Sequence, residues 1–174
     1  MMWEYVRLED DTQVSYSEVR EDNTVKVVVE RPRDWGFDTA ECILPAFNWV
    51  SHEGFSEANL KELDDFVRNN APLILRFAYE GGRVYAWSVS TRAVHHLLLD
   101  GENGEPVHVY VAVKHPTAEA TRIWLTRSGG CKLAHNKGDI PARDLRDIMQ
   151  FVSSNHALIC KRWKETTGGL SFYC

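Results

Sequence analysis

Valine stands at positions 25, 27, 28 and 29, with lysine at 26 and glutamate at 30. Read with period two, Val25, Val27 and Val29 share one face of a strand, and Lys26, Val28 and Glu30 share the other. The segments before it, "WEYVRL" and "TQVSYSEV", read as two short strands joined by the polar "EDD". "FDTAECIL" reads as the hairpin partner of the valine strand, with Pro32, Asp34 and Gly36 in the loop, and "FNWV" as a short extended piece. The period then changes. Leu60, Leu63 and Val67 recur at helical spacing, Phe66 widens the stripe, and Ile74 and Phe77 continue it. Ser56 is placed to cap this helix, with Glu57 in its first turn. Pro72 lacks a backbone N–H and clashes with the preceding turn, so it predicts a kink or break near Asn70. Gly81 and Gly82 predict the end.

The second half runs through the same order. "RVYAWSV" and "VHHLLLD" read as strands, with "STRAVHHLLL" as an alternative short helix, and "GENGE" as a loop. "PVHVYVAV" and "TRIWLTR" read as a hairpin across "KHPTAEA", and "CKLAHN" as extended chain. Pro141 fits the first turn of a helix, where a missing N–H costs nothing. Leu145, Ile148, Val152, Ile159 and Trp163 then form an apolar stripe, stopped by "TTGG".

The two stripes align at a constant offset: Leu60 with Leu145, Leu63 with Ile148, Phe66 with Phe151, Val67 with Val152, Asn70 with Asn155, and Ile74 with Ile159. The predicted fold class is therefore α+β, with two similar units from an internal duplication. Each is a small antiparallel sheet followed by a long amphipathic helix. The boundary falls between residues 82 and 83. A unit of about eighty residues has a thin core, so burial of one unit's apolar surface against the other is the expected compensation.

Composition adds a charge asymmetry. Of the 174 residues, 44% are hydrophobic and 26% charged, as in ordinary globular proteins. Residues 1–82 hold 8 Lys+Arg against 17 Asp+Glu, a net −9, and residues 83–174 hold 12 against 8, a net +4. An acidic unit joined to a basic one fits either two separately solvated surfaces or docking between halves or between copies, which would act over roughly the 8–10 Å screening length of physiological salt. No run of eighteen apolar residues is present, and "MMWEYVRLEDD" does not have the form of a secretory signal. Cys42, Cys131, Cys160 and Cys174 are widely spaced without C-x-x-C, which reads as reduced thiols in a cytoplasmic setting.

The order "GEPVHVYV", "ATRIWL", "LAHNKG" and a terminal helix ending "RWKE" resembles the bacterial domain-of-unknown-function family 4160, over about residues 95–169. Pro106, His108, Trp124, Asn136, Gly138 and Trp163 match that family's pattern. Val107 replaces its second proline and Tyr110 its second histidine, which argues against metal coordination by alternate residues of this strand. The resemblance implies an α+β fold and a relation to components of toxin–antitoxin gene pairs.

Several positions are candidates for binding. His108 and Tyr110 share a strand face, suited to a ligand or simply to covering a sheet edge. His135, Asn136 and Lys137 gather at a turn that enters a helix, with Arg143 in its first turn. That arrangement suits an anion, but Asn–Lys–Gly with Gly138 able to take positive φ is also ordinary turn chemistry, and the turn is the preferred reading. Trp163 lies among Lys161, Arg162 and Lys164, a basic stripe with an aromatic centre. His95 and His96 are adjacent and make a poor metal pair, and no cofactor or metal is expected. Phosphate-loop, dinucleotide-binding and G-x-S-x-G patterns are missing. The leading expectation is a non-enzymatic interaction protein that binds a protein partner or itself. The alternative is an RNA-binding or RNA-cleaving module on the basic half, with His108, His135 or His156 as acid and base.

Overall fold

Val25, Val27 and Val29 are fully buried, as their alternation predicts. A computed structural model of the protein describes residues 1–8, 10–82, 87–89, 96–98, 105–112 and 120–174. The chain divides into two compact units, 1–87 and 88–174.

In the first unit, strands Met2–Arg7 (β1), Gln13–Ser17 (β2), Val25–Arg33 (β3), Gly36–Leu44 (β4) and Asn48–Glu53 (β5) pair antiparallel in sequence order. The register sets Tyr16 opposite Val27, Val27 opposite Cys42, Val29 opposite Ala40 and Val25 opposite Leu44. These side chains form one buried face. The other face of β3 and β4 is more polar: Lys26 Nζ donates to Glu41 Oε1 at 2.9 Å. Helix α1, Glu57–Tyr79, covers the apolar face. Its Leu63, Val67, Leu73, Ile74 and Phe77 are buried, and the Phe77 ring meets Tyr5 at 6.3 Å and Tyr16 at 6.5 Å. Each side chain of this size contributes about 1.5–3 kcal/mol when fully buried. Ser56 caps the helix, its Oγ accepting from Asn59 N at 3.2 Å. Gly82, at φ +87°, ends the segment with its backbone against the Trp3 ring, where a Cβ would collide.

Two local expectations change here. The β3–β4 hairpin closes on Asp34 and Trp35 alone, with Arg33 opposite Gly36 and Pro32 opposite Phe37, so Pro32 and Gly36 belong to the strands. Pro32 is tolerated because β2 pairs with β3 only as far as Glu30, leaving no ladder partner that needs its N–H. Pro72 does not break α1, which runs unbroken through it. Pro72 lies on the exposed side, and the buried residues around it, Ala71, Leu73 and Ile74, hold the helix to the sheet.

In the second unit, His108–Val111 (β8), Thr121–Leu125 (β9) and Cys131–His135 (β10) form a three-stranded antiparallel sheet. Strand His96–Leu98 (β7) pairs antiparallel with β8, and with Trp87–Val89 (β6) in parallel. All of the predicted "GENGE" loop but Glu105, all of "KHPTAEA" but Ala120, and most of "RVYAWSV" and "STRAVHHLLL" lie outside the described residues. Val109, Ile123 and Leu125 are fully buried.

The expected single long helix is two: α2, Ala142–Ser154, and α3, His156–Thr167. Asn155, at φ −106° and ψ 18°, separates them. Its side-chain amide donates to the Phe151 carbonyl at 2.8 Å, competing with the backbone. Asn70 makes the same bond to Phe66 within unbroken α1, so the amide alone does not set the break. The next residue, His156, is anchored outside the helix, with Nε2 at 2.8 Å from the Thr126 carbonyl and its ring stacked on Phe172. Pro141 is the N-cap, extended at ψ 142°, one position before the first helical turn. Among the described residues, no helix is long and apolar enough to cross a membrane.

Candidate functional site: an aromatic and basic sheet face

The second unit's strands place unlike chemistry on their two sides. In β9 the apolar Ile123 and Leu125 alternate with Arg122 and Trp124. Antiparallel register sets His108 opposite Trp124 and Tyr110 opposite Arg122. On the other flank, Lys132 is opposite Trp124 and, past a bulge, His135 is opposite Arg122. Paired residues share a face, so one side of this sheet gathers His108, Tyr110, Arg122, Trp124, Lys132 and His135.

These side chains interleave rings with cations. The Arg122 guanidinium lies 4.6 Å from the Tyr110 centroid and 5.1 Å from Trp124. Trp124 stacks on Tyr173 at 5.4 Å and 12°. Lys132 Nζ lies 5.4 Å from the Tyr173 centroid. Among the described residues, neither Arg122 nor Lys132 forms an ion pair with a carboxylate. Their charge is held against π faces worth about 0.5–1 kcal/mol each at exposed sites, and it is not neutralised. Tyr110, Arg122 and Trp124 are half-buried, while Lys132 and Tyr173 are exposed.

The sequence candidates separate on this framework. His108 is fully buried, enclosed by the Tyr110, Trp124 and Trp163 rings at 4.9–5.0 Å. Its Nδ1 donates to the Pro106 carbonyl at 2.8 Å, which fixes the tautomer, and its Nε2 lies 3.9 Å from Glu105. Enclosure leaves no route for a substrate, so His108 lies on this side of the sheet but is covered by the neighbouring rings and serves to pack them. Trp163 is also buried, so Lys161, Arg162 and Lys164 flank a ring that solvent does not reach. Asn136 organises its turn: Oδ1 accepts from Thr121 Oγ1 at 2.7 Å and from Ile140 N at 3.0 Å, and Nδ2 donates to the Ile140 carbonyl at 2.9 Å. The positive φ belongs to Asp139, at 49°, and not to Gly138. Lys137 and Arg143 are exposed near the start of α2. The structure thus brings His108, Tyr110 and His135 to the sheet face and leaves Asn136, Lys137 and Arg143 at the neighbouring turn.

Cysteine chemistry does not gather here. Cys160 Sγ is 3.7 Å from His156 Nδ1, but burial pushes the Cys160 thiol up, away from a reactive thiolate. Burial does the same to Cys131, whose Ser153 hydrogen bond offsets it in part. Among the described residues, no three His, Cys, Asp or Glu side chains converge as a metal site would require.

Arg122, Lys132 and Tyr173 escape a reading of motifs. Arg122 and Trp124 have a signal in the alternation of "TRIWL", and Lys132 has one only after β10 is registered on β9. Tyr173 follows the terminal glycines in chain of no regular pattern. Compared with known protein families, curated proteins and solved structures, the chain matches none.

Proposed function

We propose that this is a non-enzymatic binding protein whose second unit holds single-stranded RNA on the face built from Tyr110, Arg122, Trp124 and Lys132. The observation that carries the reading is the alternation of half-exposed rings with cations that, among the described residues, have no carboxylate partner. Bases stack on aromatic side chains for about 1–3 kcal/mol each, with little regard for sequence. Cations spaced between the rings meet the phosphates that link those bases. The net +4 of residues 83–174 acts in the same direction.

Anisotropy of a short labelled single-stranded RNA tests this with the full chain. Loss of one stacked base predicts about 5- to 150-fold weaker binding for Trp124→Ala. Two neutralised phosphates predict a slope of about −1.4 in log K against log salt. Absence of binding at low salt, or binding that Trp124→Ala and Arg122→Gln leave unchanged, excludes the reading.

A second reading rests on the first unit. Trp35 is 97% exposed and Phe37 63% exposed at the tip of the β3–β4 hairpin, and rings so placed favour a protein contact. The exposed rings favour a module that contacts a protein partner or a second copy; the toxin–antitoxin kind and a cytoplasmic setting belong to this proposal on the sequence motifs and the spacing of the cysteines alone. Salt-dependent sedimentation of the full chain that Trp35→Ala abolishes is the expected result for self-association.

The duplication belongs to the same proposal. Leu63 and Ile148, Val67 and Val152, and Ile74 and Ile159 are buried pairwise, and Asn70 and Asn155 make equivalent bonds. The likeness of residues 95–169 to the domain-of-unknown-function family 4160 is likewise a proposal, supported by the motifs already quoted and by no family match.

A further inference from the structure

The chain beyond α3 is fixed to the sheet that carries the aromatic face. Gly168, at φ +73°, turns it out of the helix. Val107 N then donates to the Ser171 carbonyl at 2.8 Å, and Ser171 Oγ donates to the Glu105 carbonyl at 2.9 Å. Arg127 N donates to the Cys174 carbonyl at 3.0 Å. The backbone is therefore pinned on both sides of residues 172 and 173. Phe172 lies parallel to the His156 ring, at 11°. Tyr173 lies on Trp124 at 12°.

A nearly parallel ring at 5.4 Å is the geometry of offset stacking, and it is the position a nucleobase needs on Trp124. Yet Tyr173 is 51% exposed, so the strap's own packing encloses only part of its ring. Its backbone anchors lie at Ser171 and Cys174, so the side chain can rotate away about χ1 while the strap stays attached. Arg122 and Lys132 remain beside the vacated place.

We propose that Trp124 is a nucleobase seat, filled in the free protein by Tyr173, which an incoming base of single-stranded RNA displaces. This rests on the RNA reading above and adds a built-in competitor to it. A seat that is mostly occupied lowers apparent affinity by the fraction of time it is open.

The test measures binding of labelled single-stranded RNA to the full chain in four forms: native, Tyr173→Ala, Tyr173→Phe and Trp124→Ala. Tyr173→Ala keeps the backbone anchors and removes the ring, so it should bind about 3- to 10-fold more tightly. Tyr173→Phe keeps the ring and should bind as the native chain does, and Trp124→Ala should bind more weakly. If Tyr173→Ala binds equally or more weakly while Trp124→Ala loses affinity, Tyr173 is part of the platform. The displacement proposal then falls and the RNA reading stands. If no form binds, the RNA reading falls and the proposal with it. Circular dichroism of Trp124→Ala, with Arg122→Gln as the milder second variant, separates lost stacking from lost folding.

Discussion

Asn136 offers a direct test of whether the "AHNKG" segment is turn or ligand site. Asn136→Ala removes three hydrogen bonds at 2.7, 2.9 and 3.0 Å, two of them to the backbone of Ile140. Ile140 is only 4% exposed, so water replaces those partners poorly. Typical net contributions of about 1 kcal/mol per bond give about 3 kcal/mol for the three together. For a cooperative unit of this size each kcal/mol lowers the melting temperature by about 4–8 °C, so a fall of about 12–24 °C is expected. Thr121 is fully buried and its hydroxyl serves the same turn, donating to Asn136 Oδ1 and accepting from Gly138 N at 3.3 Å. Thr121→Val keeps the shape, removes the hydroxyl, and should cost roughly 1–2 kcal/mol. The two changes share one bond, so the double variant should be about 1 kcal/mol less destabilised than the sum. Scanning calorimetry of the four proteins measures this cycle. A loss under about 1 kcal/mol for Asn136→Ala, or strict additivity in the cycle, would refute the turn assignment.

The remaining predictions concern the first unit. Pro72 occupies an exposed helix interior, so Pro72→Ala should raise stability by roughly 1–2 kcal/mol, the helix gain being reduced by greater freedom of the unfolded chain; a loss in urea denaturation would contradict it. The Asp38 carboxylate accepts from Arg33 and Arg31, which hold its pKa below the usual range. Its contribution to stability is complete above the unfolded value of about 3.9 and is lost as pH falls through the lower folded value. Asp38→Asn should therefore be less stable than the native chain at neutral pH, with the gap closing in acid. A gap independent of pH in circular dichroism melts would exclude this.

Much of the fold was legible because periodicity reports burial directly. The β3 alternation and the α1 stripe each name a buried face without knowledge of its partner, and Ser56 caps its helix through strictly local chemistry. Breaks were less legible. Pro72 predicts one and does not produce it, because the packing of Leu73 and Ile74 outweighs a local defect on the solvent side. Asn155 produces one, although the same residue type at Asn70 does not. The difference lies in His156, whose anchors at Thr126 and Phe172 are remote in sequence.

The candidate site divides along the same line. The sequence alone determined two α+β halves of opposite charge and the residue types at Tyr110, Arg122, Trp124 and Lys132, since composition and alternation are properties of the chain itself. Only tertiary structure decided that these four share a face, that His108 and Trp163 lie within the interior, and that Tyr173 rests on Trp124. Strand register and the path of the final residues are set by contacts between distant segments, and a local pattern carries no record of which distant residue will be its neighbour.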